Sequence, residues 1–468
     1  MPNSLSRRSF VGGSAATLGF AFAGAGSLDP FMSSATAATR TSAGYGPLSP
    51  AGALLALPES FSYKVIGQSG VAGAGGFVHP GDPDAMGCFA RPGGGSVLVS
   101  NHELAGSDRF AVPHVKGLVY DTGGIGGTST IVMDAQNTVL EQYASVAGTW
   151  NNCAGGVTPW GTWLTCEETE ARAGGTLTKD HGYVFEVDPT SQAANIGRSA
   201  LPLKFLGRYA HEAAAVDPAT STIYLTEDAG GPNGLYYRWT PPGGFTSGKG
   251  ALHALAADGA VDVGTLEAMT CFDEDGNHVP DLSIATAVNT VYTVRWVQVP
   301  DRDARTVSVR KQFTDDQITR SRKLEGQWWG DGGAYFVASF ARRSDGSANE
   351  HDGQVWFYDP VRSRIRLKTI FGVNPDPATG DVNFDGPDNI TVSPHGGLIL
   401  AEDGEGRSHL VGVTEQGKAY ALALNLVNDS EFAGPVFNAS GSTLFANIQT
   451  PGYTVAITGP WGRPSNAR

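Results

Sequence analysis

Cysteine and acidic residues recur in this chain at the two ends of short apolar runs, and that pattern could do chemistry. Cys153, Glu212, Glu325 and Asp388 each open such a run. Asn101, Glu103, Glu167, Glu168, Glu227, Asp228, Glu402 and Asp403 each close one. Carboxylates brought together in numbers repel one another and need cations. Oxygen-rich clusters suit Ca2+, whereas a thiolate among carboxylates suits a transition metal such as iron. Such a cluster supplies Lewis acidity and can activate an oxygen nucleophile. His102 and His211, beside acids, read as hydrogen-bond partners of carboxylates rather than ligands.

Whether these residues meet depends on the elements that carry them. A phrase of a turn, three or four apolar residues, a small residue and a polar group recurs with Val99, Leu164, Leu225, Val337, Leu400 and Phe445 in equivalent places. The spacings are 65, 61, 112, 63 and 45 residues, the longest holding an insertion near residues 229–320. A second strand-like run precedes each phrase, beginning near Gly87, Cys153, Glu212, Glu325, Asp388 and Gly434. The offsets, 12, 11, 13, 12, 12 and 11 residues, are those of a repeated β-hairpin. Six hairpins in an all-β chain predict a β-propeller of about six blades. The start of a hairpin's first strand and the end of its second lie at the same end, so radial repetition gathers the acids at one mouth of the central channel.

Composition narrows the function classes. The chain has 468 residues, 63 of them Gly, and a net charge of −14. An acidic surface of that size repels nucleic-acid phosphates and anionic membranes. Ser6-Arg7-Arg8-Ser9-Phe10-Val11, the apolar stretch from Gly12 to Gly26 and Ala35-Thr36-Ala37 together read as a twin-arginine signal peptide over residues 1–37. Residues 38–468 are then one exported domain, periplasmic or extracellular, without a membrane span. Nothing in the sequence demands a dimer, and a monomer is expected. Cys88, Cys166 and Cys271 read as structural or uninformative. Asp273-Glu274-Asp275-Gly276-Asn277-His278 starts like a calcium loop, but Ile284 stands where the bidentate Glu belongs. The glycines between Gly70 and Gly76 lack the Lys-Ser or Lys-Thr of a nucleotide loop.

Several longer phrases resemble one family. Ser100-Asn101-His102-Glu103, Asn152-Cys153-Ala154-Gly155-Gly156, Thr158-Pro159-Trp160-Gly161-Thr162-Trp163-Leu164-Thr165-Cys166-Glu167-Glu168 and Arg208-Tyr209-Ala210-His211-Glu212 resemble PhoX-type alkaline phosphatases, from about residue 60 to the C-terminus. The resemblance implies a propeller carrying iron and calcium, with an oxo-bridged cluster that binds phosphate in the channel mouth. It implies Cys153 as the iron-ligating cysteine, Glu103, Glu168, Glu212, Glu325 and Glu167 as carboxylate ligands, and Asn101 near the phosphate. The repeat pattern adds Glu227 and Glu402 to the candidate ligands. One departure touches activity. Where the family carries Arg two residues before Glu325, this chain has Lys323, so either Lys323 or Arg322 takes the arginine's role or turnover and substrate choice differ. The expected activity is hydrolysis of small phosphate monoesters. The alternatives are a calcium-dependent phosphodiesterase or lactonase, or a non-catalytic calcium-binding propeller.

Overall fold

The computed structural model describes residues 43–347, 349–375 and 384–465. The expected signal peptide, residues 1–37, lies outside them. Among the described residues no helix is long and apolar enough to cross a membrane.

The chain is an all-β propeller built from six inner hairpins. Their first strands are Pro83–Ala90, Asn152–Val157, His211–Val216, Leu324–Gly330, Pro387–Val392 and Phe432–Phe437. Their second strands are Ser96–His102, Trp163–Glu167, Ile223–Glu227, Gly333–Ala338, Leu398–Glu402 and Thr443–Ile448. Each first strand packs beside the next around an axis, and the last returns to the first. Blades one to six are named here in that order. Every residue of all six second strands is buried. A strand covered by neighbouring blades on both faces carries a continuous apolar run instead of an alternating one, which explains Val97-Leu98-Val99 and Leu398-Ile399-Leu400-Ala401.

Outer strands complete the blades. Ser62–Gln68 pairs with Tyr453–Thr458, so an N-terminal strand forms the outer edge of blade six. The stretch 229–320, expected to hold an insertion, carries four strands separated by long connections. Tyr236–Thr240 and Thr265–Phe272 are the third and fourth strands of blade three. Val291–Gln298 then pairs both with Thr265–Phe272 and with Arg364–Phe371 of blade four, joining two blades into one sheet. The long repeat step here reflects this extra strand and the long connections on either side of it.

One irregularity repeats in all six hairpins. The pairing register shifts by one residue just inside the start of the inner strand: Pro83/Met86, Asn152/Gly155, His211/Ala214, Leu324/Gln327, Pro387/Ile390 and Ala433/Val436. A bulge leaves residues unpaired and re-aims their side chains. Five of the bulges carry the side chains Asp84, Cys153, Glu212, Glu325 and Asp388. The sixth has Gly434 at φ +57, where a Cβ would lie 2.7 Å from the Asp84 carbonyl oxygen. Just past the bulges the axis is closed by Ala85, Ala154, Gly326 and Asn389, around a space of only about 10 Å³.

Candidate metal centre

The five bulge side chains converge on a cavity of about 220 Å³ at the mouth of the axis. A second tier comes from the residue just after the second strand of five blades: Glu103, Glu168, Asp228, Asp403 and Gln449. A third comes from the residue just before the inner strand, namely Asp82, Asn151, Lys323 and Glu431. Asp82, Asn151 and Lys323 hold left-handed backbones, with φ of +35°, +55° and +44°, as does Gly386 at the same place in blade five. Asp and Asn tolerate that conformation; for a long side chain such as Lys it costs on the order of 1 kcal/mol or more. Asp108 completes the lining. The wall thus has eleven carboxylates, one thiol, two amides and one ammonium, and no apolar side chain except the thiol.

Three donor sets lie close enough to grip single ions: Cys153 with Glu168 and Glu212, Glu212 with Glu325 and Asp388, and Asp388 with Asp403 and Glu431. In each set the ligand atoms lie within 4.8 Å of one another. Glu212 and Asp388 each belong to two sets, so the three places form a chain linked by shared carboxylates. The amides orient the rim. Asn151 donates to Glu103 Oε1 at 3.1 Å and Glu168 Oε2 at 3.1 Å, and Gln449 donates to Glu103 Oε2 at 2.8 Å. Asp84 Oδ1 is buried with no hydrogen-bond partner. Cys153 Sγ is hydrogen-bonded to the carbonyls of His211 at 3.4 Å and Glu212 at 3.6 Å. Thiol plus carboxylates, with a buried oxygen left open, fits a bound transition metal and hard divalent cations.

Without cations the site is electrostatically uncomfortable. Burial, then the charge of Asp388, pushes the Glu212 carboxyl well above the usual range. Burial, then Asp228, does the same to Glu168. Glu103 is raised to about 7 by burial and by Asp403, and Glu325 to about 7 by burial, against the pull of Lys323. An acid whose folded pKa is raised binds its proton more tightly in the native state, so it adds stability at low pH that is lost as pH rises through about 7. The buried neutral histidines His79, His102 and His211, lowered to about 4, 3 and 3, oppose this only below about pH 6.5. The chelator-stripped protein should therefore melt several degrees higher at pH 6.5 than at pH 8.5. Added calcium should abolish that difference, measured by scanning calorimetry.

The structure brings Cys153, Glu103, Glu168, Glu212, Glu325 and Lys323 together. It does not bring Glu167, Glu227, Glu402, Asn101 or Arg322 to the cavity wall. Glu167 accepts from the backbone N–H groups of Trp150, Gly182 and Tyr183 and from His181 Nδ1 at 2.6 Å. Glu227 accepts from Leu235 N, Tyr237 Oη and Arg310 Nη1. Glu402 accepts from Asp385 N, His409 N and His409 Nδ1. All three are buried staples between a second strand and the chain around it. Asn101 donates to the carbonyls of Cys153 and Ala154, at 2.9 and 2.7 Å, and accepts from Trp163 Nε1 at 2.8 Å. Its amide shapes the bulge that carries Cys153. Arg322 is paired with Asp281 at 2.8 Å. Cys166 and Cys271 are core residues, and all four cysteines are free thiols.

Sequence reading missed Asp82, Asp84, Asn151, Glu431 and Gln449. A signal existed for Asp84, since an acid at the hairpin start is the repeat's rule, but the first hairpin is three residues longer than its start near Gly87 suggests.

Comparison with known proteins follows the geometry. A family model described as alkaline phosphatase PhoX matches residues 132–452, which contain Cys153, Glu168, Glu212, Glu325, Asp388, Asp403 and Glu431. The structure is similar to that of Pseudomonas fluorescens PhoX in complex with vanadate, a transition state analogue, with a TM-score of 0.65 and 17% identity over 89% of this chain and 98% of that one. A gluconolactonase of Xanthomonas campestris gives a TM-score of 0.41 at 10% identity, over 89% of this chain and 98% of that one. An auxiliary nutrient binding protein of Bacteroides ovatus gives 0.44 at 10%, over 87% and 77%. No curated protein sequence matches. With the propeller in place and the family model covering more than half of its length, the chain belongs to the PhoX family of alkaline phosphatases.

Proposed function

We propose that this chain is an exported phosphomonoesterase that works with iron and calcium, releasing phosphate from small organic esters. The observation that carries the reading is the wall of eleven carboxylates and one thiol around a polar cavity with a single ammonium, in a chain of this family. Cys153, Glu168 and Glu212 would hold the iron, and the sets running through Glu325, Asp388, Asp403 and Glu431 would hold calcium. Bound there, the metals supply Lewis acidity toward the phosphoryl oxygens and the leaving alkoxide.

The chain's own groups do the rest. Lys323 is the one cation in the wall. Burial lowers its pKa, but Asp228 and Glu325 outweigh burial and hold the ammonium charged. It is ion-paired with Asp228 Oδ2 at 3.3 Å and Glu325 Oε1 at 2.9 Å, and on the cavity wall it can also donate to a phosphoryl oxygen. A point-charge ammonium steadies one oxygen where a guanidinium would clamp two. Asn151 and Gln449 fix the carboxylates of Glu103 and Glu168, so the site need not reorganise as charge develops. The polar wall admits the phosphoryl group and offers no apolar surface to the organic part, which stays at the rim.

The test is an assay of p-nitrophenyl phosphate at mildly alkaline pH. Activity should vanish with a calcium chelator and return with calcium, and bis(p-nitrophenyl) phosphate should be turned over at least a hundredfold more slowly. Equal rates on the diester, or activity indifferent to chelation, would sink the proposal.

A further inference from the structure

Blade four breaks the charge pattern of its neighbours. The residue after the second strand is Glu103, Glu168, Asp228 and Asp403 in blades one, two, three and five, but Ser339 in blade four. The residue before the inner strand is Asp82 and Asn151 in blades one and two, but Lys323 in blade four. So one sector replaces an acid with a hydroxyl and adds an ammonium. That ammonium lies 3.3 Å from Asp228 of blade three. Its place is fixed by a left-handed backbone and by the Ser339 N–H, which donates to the Lys323 carbonyl at 2.9 Å. Of the four second-tier acids, Glu103 and Asp228 belong to none of the three donor sets; Glu103 is held by the amides of Asn151 and Gln449, and Asp228 by the Lys323 ammonium.

We infer that the Lys323 ammonium stands where a divalent cation would otherwise be needed: it neutralises Asp228 and keeps that carboxylate out of metal binding. The cluster is then built from the three sets alone, and the side chain that faces the substrate also lowers the number of ions the site holds. The idea rests on the metal-centre reading above. An ammonium and a hydrated divalent cation both satisfy a pair of carboxylates, but only the ammonium is covalently held and survives chelation.

The experiment counts metals in the full-length protein by mass spectrometry, after equilibration with excess calcium and gel filtration. Asp228→Asn should hold as many ions per chain as the wild type. Lys323→Met should hold one more calcium, and the double variant Lys323→Met/Asp228→Asn should return to the wild-type number. Lys323→Arg, which keeps the charge, should also match the wild type. A cation lost from Asp228→Asn would show that Asp228 is a ligand and overturn the inference. So would an unchanged count in folded Lys323→Met, or an extra ion that persists in the double variant. If Lys323→Met does not fold, Asp228→Asn alone decides. Wild-type protein with no metal at all would instead refute the metal-centre reading, which keeps the two failures apart.

Discussion

Replacing Cys153 with serine should remove iron and activity together while leaving the propeller folded. The thiol is buried, and the hydrogen bonds it makes are to two backbone carbonyls at 3.4 and 3.6 Å. Those are weak contacts, so their loss costs little stability. Burial, then the charge of Glu212, drives the thiol's pKa well above its usual value in the metal-free protein. A thiolate here is therefore stable only against a bound cation. Serine keeps the shape but is a poor ligand for iron. A Lewis acid contributes several kcal/mol to the transition state, so kcat should fall by about three orders of magnitude. The melting temperature of the chelated form should move by no more than a degree or two, and the visible absorption of an iron–thiolate bond should disappear. A colourless Cys153→Ser variant with full activity would end the iron proposal.

The second large effect belongs to Asn101, and it is one of stability. Its amide makes three buried hydrogen bonds, two to the carbonyls of Cys153 and Ala154 and one from Trp163. Asn101→Leu fills nearly the same volume and satisfies none of them. Each buried partner left unpaired costs about 1–3 kcal/mol, so the variant should lose about 3–6 kcal/mol. Urea denaturation followed by tryptophan fluorescence measures this. Had Asn101 been a substrate contact, as its place in the Ser-Asn-His-Glu phrase suggests, the same change would lower kcat/KM and leave the denaturation midpoint alone. That outcome would contradict the role described here.

Both cases show what a repeat in sequence reveals and what it conceals. The hairpin starts at Cys153, Glu212, Glu325 and Asp388 were legible because their offsets to the next apolar run are nearly constant, and all four reach the cavity. The ends were legible only as pairs. Glu167-Glu168, Glu227-Asp228 and Glu402-Asp403 look alike as letters, yet consecutive residues on an extended chain point opposite ways. The first of each pair is the last residue of its strand and turns outward to staple the blade. The second has left the strand and lines the cavity. Which of two adjacent acids faces inward depends on the strand's final residue, and composition does not mark it. Arg322 and Lys323 are adjacent in the same way; Lys323 lies on the cavity wall and Arg322 pairs with Asp281. Glu431 and Gln449 flank the two strands of blade six at the same places as Lys323 and Asp403 flank theirs, but the glycine at this blade's bulge, Gly434, removes the acid at the hairpin start that marks the other blades in sequence.

The outer strand of blade six sets a timetable. Ser62 and Thr458 touch across 396 residues of chain, so the ring is clasped by its two ends. The donors come from every sector of the ring, from Asp82 to Gln449. Only the closed ring holds all three donor sets, although Cys153, Glu168 and Glu212 come from the consecutive blades two and three. Long-range contacts of this kind form late because the entropy of closing the loop is spent before they give anything back. Capture of the full set of ions is then a reporter of completed folding: the ions a molecule carries are those available where its clasp first shut.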